Sequence, residues 1–105
     1  MKSKEEYIDH LHKKIDDWNA DIDTLMVKTE RIDRESRTEL HDQIQKLKVK
    51  RDEIERKINT LSQSGAEAWG DIKSGLDLAG EAMSTAVNSA TTRFFSRDSE
   101  GRNEQ

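Results

Sequence analysis

With 105 residues, 31% of them apolar and 38% charged, the chain has room for one domain at most. A mean hydropathy of −1.03 and a net charge of −4 leave too little apolar matter for an ordinary compact globule, so disorder or elongated helices with a thin apolar seam remain. Strong helical periodicity and the absence of proline favour helices, while the absence of cysteine excludes disulfides and thiolate metal sites.

From the N-terminus, apolar residues recur every three or four positions. Ile8, Leu11, Ile15, Trp18, Ile22, Leu25 and Ile32 form one stripe, and Leu40, Ile44, Leu47, Ile54, Ile58 and Leu61 the next. This spacing predicts a helix with one narrow seam made to meet another helix. In heptad terms Ile8, Ile15 and Ile22 fall at a, and Leu11, Trp18, Leu25 and Ile32 at d. In the second stripe Ile44, Arg51 and Ile58 fall at a, with Leu40, Leu47, Ile54 and Leu61 at d. Trp18 is large for a regular d layer and Arg51 is polar, which weakens the two-stranded preference.

The two frames do not join cleanly, since Asp33 to Glu39 contains nothing apolar. A hairpin turn near 34–38, with Ser36-Arg37-Thr38-Glu39 as a capping box, is one explanation. A continuous helix with a phase slip is the other. The segment lacks Gly, Pro and Asn, and charge pairs spaced four apart (Glu30–Arg34, Asp33–Arg37) run through it, so the reading favours the continuous helix. Residues 1–61 would then form a rod about 85–90 Å long.

A break is expected at 62–65, where Gly65 can end the first helix and Ser64 with Glu67 reads as a capping box for another. The second helix, 66–95, is different in character. Ala68, Ile72, Leu76, Ala79, Met83, Ala86, Ala90 and Phe94 mark one face, Trp69 and Val87 flank it, and residues 82–92 carry no charge. Glycines at 65, 70, 75 and 80 do not line one face, and each interior one costs about 0.5–1 kcal/mol against Ala. The polar tail 96–105 is expected to be disordered.

Chemistry is thinly represented. In Asp9-His10-Leu11-His12 the two histidines diverge on a helix, leaving at most Asp9 with His12, or His12 with Asp16, as a weak surface pair. Asp16-Asp17 and Asp21/Asp23 pair carboxylates without the water-poor pocket that general acid–base work needs. No nucleophile–His pairing or phosphate loop is present. The expectation is a non-enzyme without metal or cofactor. Basic residues form no stripe and do not alternate with aromatics, so no nucleic-acid partner is expected. The first residues show no apolar signal-peptide core, and no run approaches the ~20 apolar residues of a membrane span. A cytoplasmic setting is therefore expected.

Tyr7-Ile8, Leu11, Ile15 and Asp17-Trp18-Asn19-Ala20-x-Ile22-Asp23-x-Leu25 are followed by Lys50-Arg51-Asp52-Glu53. The segment Ser64-Gly65-x-x-Ala68-Trp69-x-Asp71-Ile72-Lys73-x-Gly75-Leu76 comes next, then Ala86, Ala90 and Arg93-Phe94. Over about residues 5–95 this pattern resembles the small bacterial coiled-coil proteins of the cyanobacterial-type stress-response family. The resemblance implies a bacterial coiled coil linked to stress and no known catalysis, and it assigns no functional residues.

The sequence thus predicts an all-α, elongated coiled-coil protein: a long N-terminal helix (or helical hairpin) followed by a shorter Ala/Gly-rich helix that folds back on it or packs against another copy. The expected role is structural, with homo-oligomerisation through the seam and higher-order assembly if the ends are complementary. An isolated monomer would be only marginally folded. The alternative is an amphipathic helix that binds a membrane surface or client proteins, using Trp69, Ile72, Leu76, Met83, Val87, Phe94 and Phe95.

Overall fold

A computed structural model describes residues 3–103, with side-chain burial for 3–95. The chain is all-α, as expected. Helix α1 spans Lys4–Lys28, a 3-10 turn covers Thr29–Arg31, α2 spans Arg34–Gln63 and α3 spans Ala66–Asn103. The N-terminal stretch is therefore a hairpin, and the continuous helix through 33–39 is corrected. The molecule measures 58 × 23 × 17 Å, shorter than the rod anticipated for one helix.

Two caps set the hairpin. Ser3 begins α1, its hydroxyl accepting from the Glu6 amide at 3.1 Å. Asp33, in extended backbone, begins α2 by accepting from the Ser36 amide at 2.8 Å. The expected cap at Ser36 is thus displaced three residues upstream, and Ser36 itself is buried in the first turn. No Gly or Pro is needed because a guanidinium takes up the loose carbonyls. Arg37 Nε donates to Thr29 O at 2.9 Å and Nη2 to Ile32 O at 3.2 Å. The Thr29 hydroxyl donates to Met26 O at 2.6 Å. These bonds satisfy helix-end carbonyls that a glycine cap would otherwise serve.

The second break falls where expected but is built differently. Ser64 has extended backbone, and its hydroxyl and amide both donate to Leu61 O, at 2.8 and 3.1 Å. Ser64 thus closes α2 instead of opening α3, and Gly65 has no left-handed backbone. Lys4 Nζ reaches across from α1 to donate to Ser64 O at 2.8 Å and Ser62 O at 3.4 Å. A cation at the C-terminal end of a helix also meets the negative end of its dipole. Helix α3 continues to Asn103, so the disordered tail expected at 96–105 is corrected for 96–103; 104 and 105 lie outside the described residues. Adding polar residues to an already formed helix requires no new nucleus.

The three helices run up, down and up. Cross-contacts fix the order: Lys4 meets Ser64 and Asn19 meets Arg51, so α1 and α2 are antiparallel. Trp18 meets Ser84 and Lys28 meets Phe95, so α1 and α3 are parallel. Both seam stripes and the inner face of α3 close a single core running from Tyr7 to Phe94. Leu25, Leu40, Leu61, Leu76 and Met83 are fully buried. Burial of this apolar area within one chain is the main stabilising term.

That closure alters the expected interface. The seam residues Leu11, Ile15, Trp18, Ile22, Leu25, Leu40, Ile44, Leu47, Ile54, Ile58 and Leu61 are buried, with Ile8 and Ile32 half-buried. Of the two partners the pattern allowed, the Ala/Gly-rich helix of the same chain and a second copy, it is α3 that covers the seam. A second copy is not needed to cover the seam, because a helix has only one such stripe and two others already occupy it. The two polar irregularities are absorbed locally. Arg51 turns outward to Asn19, Nη1 donating to Oδ1 at 2.8 Å, and pairs with Asp52 and Glu55. Trp18 is accommodated opposite the small residue Gly80, where an added Cβ would stand at an ordinary contact distance of 3.9 Å from its ring.

Candidate functional site

Helix α3 carries the surfaces that differ from an ordinary solvated helix. Its buried face is Leu76, Gly80, Met83, Val87, Ala90 and Phe94, with Trp69, Ile72, Ala79 and Ala86 packed against the core at partial exposure. Ala68 is exposed, which corrects its placement on the packing face. It precedes Trp69 by one residue, or about 100° of helical rotation, and the bulkier indole takes the inward position.

Between α1 and the first half of α3 lies an open groove of about 670 Å³. Leu11, Leu76 and Gly80 form its apolar lining, Tyr7, Trp69 and Gly70 close one end, and His10, Lys14, Lys73, Asp77 and Glu81 stand at its rim. The Tyr7 and Trp69 rings lie 5.4 Å apart at 47°, and the Lys73 ammonium sits 5.1 Å from the Tyr7 ring centre. The Tyr7 hydroxyl donates to Asp77 Oδ1 and lies 3.3 Å from Lys73 O. Lys73 also bridges to Asp77 Oδ2 at 3.1 Å.

This cluster locks its own protonation states. Burial, then the hydrogen bond and negative charge of Asp77, push the Tyr7 phenol well above its ordinary value of 10.0. The bond from Tyr7, outweighing partial desolvation and helped by Lys73 and the charge of His10, holds the Asp77 carboxyl below its ordinary value. Both shifts move the groups away from neutral pH, opposite to what proton transfer requires.

The histidines of the sequence pattern separate. His10 lines the α1–α3 groove, whereas His12 and Asp16 line a shallow α1–α2 groove with Asp52 and Glu55. Among the described residues no group of three His, Asp or Glu side chains stands close enough to hold a metal ion. No helix among the described residues is long and apolar enough to cross a membrane. Leu76, Met83, Val87 and Phe94, the core of the suggested lipid face, are buried. That face would contact lipid only after α3 left the bundle.

The opposite side of α3 is exposed and uncharged. Gly75, Leu78, Ala82, Thr85, Ser89 and Thr92 follow one another at spacings of three and four, and all are exposed. Leu78 retains 69% of its surface in solvent. Sequence reasoning missed this stripe because small polar and apolar residues give little periodic hydropathy. The charge-free run 82–92 was the signal pointing to it. The chain matches no family model, no curated protein and no solved structure.

Proposed function

We propose that this chain is a non-catalytic structural module, a pre-folded three-helix bundle that associates with a second copy through the outer face of α3. The observation that carries this reading is the uncharged stripe from Gly75 to Thr92 on a protein whose other two helices face solvent mainly with ionic side chains, Met26, Val27 and Val49 being their exposed apolar exceptions. Charges on a helix surface oppose close approach, and small residues permit it. A self-complementary patch on one helix gives a two-fold pair without demanding the internal seam. The self-locked Tyr7–Asp77–Lys73 cluster supports a non-catalytic role, since neither group is poised to exchange a proton near neutrality. A bacterial origin and a link to stress response belong to the same proposal and rest on the sequence resemblance; a cytoplasmic setting is carried into it from the sequence pattern.

Sedimentation equilibrium of the wild-type chain and of Leu78→Glu tests it. The wild type is expected to show a reversible monomer–dimer equilibrium in the micromolar to millimolar range. The variant is expected to stay monomeric with unchanged helicity. A wild-type monomer throughout that range, or a dimer unaffected by Leu78→Glu, would overturn the proposal.

A further inference from the structure

The first ten residues of α3 are attached to the bundle differently from the rest. Between Ala66 and Gly75 no side chain is fully buried: Trp69, Ile72 and Lys73 are half-covered and the others exposed. From Leu76 onward a buried residue recurs every three or four positions through Phe94. Gly70 and Gly75 stand in this segment with ordinary helical backbone, and an added Cβ at either would meet nothing within 4 Å. Packing and backbone geometry therefore do not require glycine at these positions, yet both weaken the helix. The polar tie to α1 is the Tyr7 hydroxyl, held between Asp77 Oδ1 and Lys73 O, with the Trp69 ring against Tyr7.

We infer that residues 66–75, about three turns of α3, form a latched segment that opens as a unit while α3 from Leu76 onward stays docked. Gly75 marks the boundary, and Gly65 gives the segment its second loose end. The latch is the Trp69 ring against Tyr7 together with the bond from the Tyr7 hydroxyl to Lys73 O, while the bond to Asp77 lies on the docked side. Opening removes Trp69 and Gly70 from the end wall of the α1–α3 groove and uncovers Tyr7 and Leu11. The bundle thereby gains a second, more apolar form without losing its main core. This inference stands apart from the proposed pairing through the outer face of α3, which uses residues beyond the boundary.

Native-state amide hydrogen exchange of the full chain tests it, because a sub-global opening and global unfolding respond differently to substitutions. In the wild type, amides of 70–75 exchange at least roughly tenfold faster than those of 80–92 after correction for intrinsic rates. Val87→Ala, in the part that stays docked, speeds 80–92 and leaves 70–75 unchanged. The double variant Gly70→Ala, Gly75→Ala slows 70–75 by roughly five- to thirtyfold. Tyr7→Phe, which keeps the ring, speeds them. Equal wild-type rates for the two segments, or acceleration of both alike by Val87→Ala, would mean that α3 opens only with the whole bundle and would overturn the inference.

Discussion

The α1–α2 hairpin and α3 contribute to one core but present contrasting surfaces to water. Outside the core, α1 and α2 are covered by charges such as Asp9, Lys13, Asp42, Lys46, Glu53 and Lys57, all exposed. Helix α3 between 82 and 92 carries no charge at all. The hairpin is also fastened at both ends by identifiable polar bonds: Arg37 across the turn and Lys4 onto the end of α2. Helix α3 has its strongest polar tie at one tyrosine near its start, with Arg93 paired to Glu39 towards the other end. The contrast teaches that one apolar period can serve two purposes. In the hairpin it fills a core behind a solvated shell; in α3 it fills the same core and leaves an outer face free to meet another surface.

The most severe test of the shared core is Phe94→Ala. Phe94 is 1% exposed, and its truncation is expected to cost about 3–5 kcal/mol. If α3 and the hairpin share one core, far-ultraviolet circular dichroism and tryptophan emission should report the same shifted urea transition. Separate transitions would split the molecule into an independent hairpin and an accessory helix. Next in size is the cap that ends the ambiguity of the turn. Asp33→Ala should lose about 0.5–2 kcal/mol in the same urea titration. A stability equal to wild type would mean that the Arg37 bonds alone hold the turn.

Glycine substitutions probe α3 in the opposite sense. Gly70→Ala and Gly75→Ala should each raise stability by about 0.5–1 kcal/mol, since the helix accepts a methyl there without contact. A fall in melting temperature for either would show a neighbour that the bundle places closer. At Gly80 a methyl would sit at ordinary van der Waals distance from Trp18, and a larger side chain would displace the indole.

The smallest effects are those of pH. Asp77 has a folded value below its unfolded one, so its contribution is present above the unfolded value and is lost as pH falls through the folded one. Tyr7 has a folded value above its unfolded one. Its contribution is therefore complete below about pH 10 and lost as pH rises towards the folded value. Tyr7 is the single tyrosine of the chain, so tyrosinate absorbance follows this site alone. Ionisation at the ordinary tyrosine value would mean that the phenol is not buried against Asp77. Tyr7→Phe should flatten the alkaline limb of stability, and Asp77→Asn the acid one.

Much of this architecture was legible in the residues. The three-four spacing of Ile, Leu and Trp placed the buried faces of α1 and α2 correctly, because helix period and burial are tied by geometry. The turn at 29–33 was not legible through its usual markers. Its carbonyls are bound by the Arg37 side chain, and arginine at that position reads equally well as one half of a surface ion pair with Asp33. Asp33 directly after Ile32, with Glu35 in the following turn, was the available cap signal. The partner of the seam was legible only as a choice between the Ala/Gly-rich helix and a second copy. Periodicity says that a stripe meets another helix and is silent on whether that helix belongs to the same chain. The Tyr7 cluster was equally out of reach, since its members lie 66 and 70 positions apart and meet only after two reversals of the chain.

The central claim is that the seam is closed within one chain. A dilution series followed by sedimentation velocity and circular dichroism tests it most directly. The bundle predicts that helicity stays constant as the protein is diluted into the low micromolar range and below, and that the melting temperature levels off at a concentration-independent value once any dimer has dissociated. Loss of helix in step with loss of dimer would contradict it, because the seam would then depend on a second copy.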